Sequence, residues 1–150
     1  MKRFLAAFLA VLTLAGLCAC AGKVQKDERV EMAECFVRAF YESSEEELRK
    51  CVHPLLYSKA KADWHIGEPN EWKTSTLKMT VGEIADADAD LLKHDRDSVI
   101  DYIGQSFPME RMCSVEIEAS VETLEGDVDT DVLAVFVYYL ESRWYAFYMD

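Results

Sequence analysis

The chain has 150 residues, 51% of them apolar and 11% aromatic, with 28 acidic against 16 basic side chains and a formal net charge of −12. That balance argues against nucleic acid as a partner, because such affinity rests on neutralising phosphates, and equally against broad contact with anionic lipid headgroups. The length suits a single domain, and the apolar fraction is enough for a real core.

Lys2 and Arg3 give a basic start, and Phe4 to Leu14 is apolar except for Thr13. That run is too short to span a bilayer, which takes about 20 apolar residues. With small residues after it, the segment reads as a secretory leader. Leu17, Cys18, Ala19 and Cys20 then resemble the lipobox of bacterial lipoproteins: an aliphatic residue, two small residues and the cysteine that receives the lipid. Cys18 does not fit as the acceptor, because bulky Leu17 would stand directly before the cut. The resemblance implies a leader at residues 1–19, a lipidated Cys20 with a short tether at residues 20–27, and one domain at residues 28–150. It implies a protein held by its lipid on the extracytoplasmic side of a bacterial membrane, in the cell envelope. Losing Lys2 and Arg3 with the leader makes the mature chain more acidic still.

The domain opens with an amphipathic helix over residues 28–42. Val30, Ala33, Val37, Phe40 and Tyr41 share a face with Phe36 beside them, and Glu31, Glu34, Arg38 and Glu42 lie opposite. Cys35 falls at the edge of the polar face, an accessible position. Ser44 with Glu47 forms a capping box for a second helix, on which Leu48, Cys51, Val52 and Leu55 share a face. Pro54 ends or kinks it. Residues 55–64 read as another short helix, and Ile66 to Glu71 as a loop. Leu77, Met79 and Val81 alternate with polar neighbours, as in a half-buried strand. Residues 95–107 read as a helix, with Val99, Ile103 and Phe107 spaced by four. Val115, Ile117, Ala119 and Val121 alternate with Glu116, Glu118, Ser120 and Glu122 in the clearest strand. Residues 131–140 are apolar on both faces, which predicts a central strand covered on both sides. Residues 144–149 return beside it, so that the last three strands form an antiparallel meander. Helices first and strands later give an α+β fold, with helices packed on one face of an antiparallel sheet.

The order of elements resembles the nuclear-transport-factor-2-like or cystatin-like fold, a long helix cradled in a curved sheet. Residues 36–56 resemble the opening of small bacterial lipoproteins of this kind, which run from an apolar helix through an acidic cap to a second helix ending in proline. Residues 135–148 resemble their closing hairpin, a tight turn before a Trp-Tyr pair, with Glu141-Ser142-Arg143 where the usual turn is Asp-Gly-Lys. The resemblance spans residues 28–150 in outline. It implies a family of unassigned function and no catalytic motif.

Several residue groups invite chemistry. Asp86, Asp88 and Asp90 take the first, third and fifth places of a calcium loop, but Leu91 stands where the loop needs glycine. Cys51, His53, His65, His94 and Cys113 are zinc-type ligands, yet only Cys51 and His53 are close in sequence. No glycine-rich phosphate loop or serine elbow occurs, so no cofactor is implied. Three cysteines follow Cys20, and at most one pair closes within the chain. Cys35 and Cys51, on neighbouring helices, are the candidates, with a small buried apolar role for Cys51 as the alternative. Isomerases and dehydratases of this fold class use an Asp or His base with a Tyr donor. Asp101 with Tyr102, or His53 with Tyr57, are the candidates for those roles, although adjacent helix residues point about 100° apart, which counts against the first pair. Among the aromatics Tyr138, Tyr139, Trp144, Tyr145 and Tyr148 read as core, whereas Trp64 and Trp72 flank a loop and are the better surface contacts. Three functions stay open. They are a module that binds a small molecule, a module that binds an envelope protein, and a small pocket enzyme. The first two, non-catalytic, are preferred.

Overall fold

The computed structural model describes residues 26–149. The leader, Cys20 and most of the tether lie outside them. The elements run α1 (Glu28–Tyr41), α2 (Glu45–Cys51), a 3-10 turn (Pro54–Leu56), α3 (Tyr57–Asp63), β1 (Trp72–Asp86), α4 (Ala89–Ile103), β2 (Arg111–Thr123), β3 (Val128–Leu140) and β4 (Arg143–Met149). The four strands form one open antiparallel sheet in the order β1-β2-β3-β4. The chain is therefore α+β, helices preceding a sheet, with α4 inserted between the first two strands.

Helix α1 starts where the Asp27 carboxylate accepts the Arg29 amide at 3.0 Å, which satisfies one of the orphan donors of a helix N-terminus. It touches all four strands and buries Val30, Ala33, Phe36, Val37 and Tyr41. Against it the inward residues of β2 and β3 meet in register. Val115 faces Val135 and Cys113 faces Val137, all four wholly buried. At the far end of α1 the Tyr41 hydroxyl donates to Asp131 at 2.9 Å, so a side chain pins the helix to β3 as well as its packing.

Helix α2 is capped as the sequence predicts, Ser44 Oγ accepting the Glu47 amide at 3.3 Å. It folds back on α1, and this corrects the reading of Cys35. The edge of the polar face of α1 is covered by α2, leaving Cys35 buried. The stripe on α2 also ends sooner than predicted. The 3-10 turn at Pro54 rotates the chain, so Leu55 is exposed and Leu56 takes the buried place.

The largest departure is in β3. Its second half is covered as predicted, but Val128 and Val132 are 71% and 62% exposed. Strand β3 pairs with β2 from end to end but with β4 only from Val135 onward. Val128 and Val132 pair with Glu122 and Glu118, so they lie on the face of the sheet away from α1, in the part of β3 that β4 does not accompany. Strand β1 is longer than the alternating run that announces it. Register irregularities between Lys73 and Lys78 and between Val81 and Ile84 break the alternation at both ends.

The β3–β4 turn is the two-residue kind. Glu141 and Ser142 both sit at positive φ, 53° and 64°, in the region that favours Asn and Gly and that ordinary L-residues resist. Ser142→Gly is expected to stabilise the fold by about 1 kcal/mol by removing that steric cost. Urea unfolding of both proteins measures it, and a loss of stability would show that the Ser142 side chain makes a contact worth more than its backbone strain.

Candidate functional site

The strongest chemical feature lies where α3, α4 and β4 meet. A cleft of about 350 Å³ is lined by Leu56, Lys59, Ala60 and Asp63, by Asp95 and Ser98, and by Phe147 and Tyr148. Its size falls in the range of small-molecule sites, and its walls are mainly apolar, as such sites require. Asp95 is buried. The Tyr148 hydroxyl donates to its Oδ2 at 3.4 Å, a long and therefore weak bond. Among the described residues no basic side chain forms an ion pair with Asp95. Lys59, the nearest cation of the lining, is held 2.5 Å from Asp63.

A buried carboxylate without a paired cation is costly. Burial accordingly raises the Asp95 carboxyl above its ordinary value, and the charge of His94 and the Tyr148 hydrogen bond pull it back only in part. The element that holds it is α4, capped by Asp88, which accepts the Leu91 amide at 2.8 Å. It is closed by Gly104 in the left-handed region at φ 68°. The Val99–Ile103 stripe, continued one turn back, arrives at Asp95. The helix therefore delivers a carboxylate to a position where its pattern calls for an apolar residue.

The residues singled out in the sequence are placed elsewhere. Asp101 and Tyr102 are on the outer side of α4. Tyr102 is 50% exposed, with the Lys59 ammonium 5.4 Å from its ring. Tyr57 donates to Glu45 at 2.6 Å, beneath the Arg49 guanidinium, in a shallow charged groove. His53 does not meet it. Its ring lies edge-on to Phe107 and Tyr145, 5.3 and 5.1 Å away, and Nδ1 accepts the Leu55 amide at 3.2 Å. Burial holds His53 below its ordinary pKa, against the opposing pull of Glu141. Trp64 packs edge-on against Phe36 and Phe40 and Trp72 against Tyr41, so both are half core. Cys35 and Cys51 come together as free thiols. Asp86 ends β1 beside Arg29, and Asp88 is spent on its cap. Among the described residues no group of three or more His, Cys, Asp or Glu side chains converges as a metal site would require.

A larger cleft, about 560 Å³, is lined by Arg29, Asp86, Glu110, Arg111 and Trp144. Its charges largely answer one another. Arg29 is bound by Asp27 at 2.6 Å and approached by Asp86 at 3.7 Å, and Arg111 is stacked 4.4 Å over Tyr139. The Asp95 cleft differs in that its carboxylate is buried and, among the described residues, has no ion pair. Comparison with known proteins finds no family model, no relative among curated proteins and no solved structure that matches the chain.

A carboxyl raised in the fold binds its proton more tightly there than in the unfolded chain. Its contribution is favourable below the unfolded-state value and is lost as pH rises through the folded-state value. Asp95→Asn, which removes the charge at nearly equal size, is expected to exceed the parent in stability at neutral pH. The advantage should shrink as pH falls through the carboxylate range. Urea unfolding of both proteins between roughly pH 3 and pH 8 reads this, and a difference that does not change with pH would mean a fully solvated carboxylate.

Proposed function

We propose that the chain is an exported, lipid-anchored protein of the bacterial cell envelope, tied to the membrane through Cys20, whose domain is of the nuclear-transport-factor-2-like kind. It acts as a non-catalytic binding module. Its ligand is a small molecule with an apolar body and an amine or hydroxyl donor. The apolar part lies against Leu56, Ala60 and Phe147, and the donor meets Asp95 and Tyr148. The observation that carries this reading is the buried Asp95 carboxyl, with a long hydrogen bond from Tyr148 and, among the described residues, no paired cation, in a cleft of ligand size. A donor brought by a ligand supplies the partner that the protein withholds, and a bond of that kind to a charged group contributes about 1.5–3 kcal/mol.

A second reading is favoured by the same pair. A carboxyl raised by burial beside a tyrosine hydroxyl is the equipment of a small isomerase or dehydratase, with Asp95 as base and Tyr148 as donor. The two readings part on the fate of the occupant. Native mass spectrometry of the gently purified protein is expected to show a bound small molecule that Asp95→Asn binds at least tenfold more weakly, about 1.4 kcal/mol. A module returns that molecule unchanged. An enzyme removes a water from it, or exchanges one of its carbon-bound protons for deuterium in heavy water. A bare protein that takes up no amine or alcohol from a small-molecule library overturns both.

The anchor has its own test. Cys20→Ala is expected to leave an uncleaved precursor or to release the protein from membranes, read by fractionation and intact mass. Unchanged fractionation and mass would remove the lipoprotein reading and leave the cleft untouched.

A further inference from the structure

Two cysteines of the helical layer share one acceptor. Cys35 on α1 donates its thiol to the Glu47 carbonyl at 3.2 Å, and Cys51, one turn beyond Glu47 on α2, reaches the same oxygen at 3.5 Å. Two sulfurs bound to one oxygen are close neighbours. Cys51 is fully buried, whereas Cys35 keeps a 7% opening at the margin where Arg38 meets Glu47 at 3.4 Å. The third described thiol, Cys113, is on β2 beneath Arg29 and takes no part.

We propose that Cys35 and Cys51 form a thiol–disulfide exchange site, with Cys35 as the entry thiol and a disulfide-bearing oxidant as co-reactant, which closes into a covalent clip between α1 and α2. The Cys35 thiolate attacks one sulfur of the reagent disulfide, a mixed disulfide forms, and the first reagent thiol leaves. The Cys51 thiolate then attacks the Cys35 sulfur and expels the second. One S–S bond replaces two protein S–H groups, the reagent is reduced to two thiols, and the two protons end on them.

The order follows from the surroundings. The hydrogen bond from Cys51 favours a thiolate at Cys35 and outweighs the effect of burial there, while burial and the neighbouring Cys35 push Cys51 up. The more acidic and more open sulfur is the one a solution reagent meets first. The chemistry needs only the reagent. That it operates in the cell rests on the export reading, since disulfides persist in oxidising compartments.

The test uses the full-length chain, folded and reduced, then exposed to oxidised glutathione and alkylated. Trypsin separates the two cysteines onto residues 30–38 and residues 51–59. The expected result is one product in which these peptides are disulfide-linked, with a melting temperature raised by roughly 10 °C over the reduced chain. The same product forms in Cys113→Ala. Cys51→Ala is expected to stop at glutathione on residues 30–38. Cys51→Val is a second variant that fills the buried site. Recovery of the two parent peptides separately, alkylated or each carrying glutathione, overturns the clip. Glutathione on residues 51–59 of Cys35→Ala, with none on residues 30–38 of the Cys51 variants, overturns the assignment of Cys35 as the entry thiol.

Discussion

The fold depends on one contact, the apolar face of α1 laid against the inward residues of β2 and β3. Val37 on the helix and Val115, Ile117, Val135 and Val137 on the strands are all wholly withdrawn from water, and burial of each side chain of this size contributes about 1.5–3 kcal/mol. Length then limits what the contact can cover. A helix of 14 residues is about 21 Å long, whereas strands of 13 residues extend for about 43 Å. One such helix cannot cover the ladder from end to end. What faces solvent lies on the other side of the sheet, where Val128 and Val132 pair with Glu122 and Glu118, with Leu124 exposed at the hairpin tip, while the apolar row along β1 is half-buried. The row that faces α1 stays buried as far as Val121, opposite Asp129, and Tyr41, the last side chain of α1, is tied there to Asp131 by a hydrogen bond.

The other end of the sheet is built differently, and it is where the chemistry gathers. Strand β4 is only seven residues long, and α3 and α4 close over it. Two seven-residue elements, α3 and β4, meeting α4 edge to edge pack less completely than a helix laid along a ladder, so a cleft remains. Asp95 occupies the place in that seam where an apolar side chain would have completed the α4 stripe. A carboxylate there weakens the packing of α4, which has few other contacts with the sheet. This is the usual sign of a residue kept for what it does rather than for what it stabilises.

Much of this architecture was legible in the sequence, because the elements that carry it have strong local signals. The Ser44 cap, the alternation from Val115 to Val121 and the α1 stripe each state a local rule that the fold obeys. The misreadings share one cause, which is that pattern does not report what lies on the other side. Cys35 looked accessible because the periodicity of α1 is silent on the return of α2. Val128 and Val132 are no less apolar than Val135, yet they pair with Glu122 and Glu118 on the face opposite to the Val115–Val135 pair that α1 covers. Asp101 and Tyr102 drew attention as an adjacent acid and phenol. Asp95, spaced by four from Val99 and by eight from Ile103, was the residue whose charge contradicted its position. A polar residue on an apolar stripe was the available signal for the cleft.

The clip and the cleft are also mechanically connected. Cys51 is the last residue of α2, and Val52 immediately after it forms an isolated bridge with Ala146 of β4. Phe147 and Tyr148, the next two residues of that strand, line the cleft, and Phe147 stands at the irregularity where the β3–β4 register slips. Beyond Val52 the 3-10 turn leads straight to Leu56 and Ala60, which form the opposite wall. The segment from Cys51 to Ala60 therefore runs from the thiol pair to the ligand walls without an intervening loop. Fixing Cys51 to α1 removes freedom at the root of that segment. Under the proposed binding function, which uses Tyr148 and Asp95 together, a stiffer root would lower the ordering cost of binding. On the two proposals together, oxidation of the thiol pair would act on the cleft through this segment.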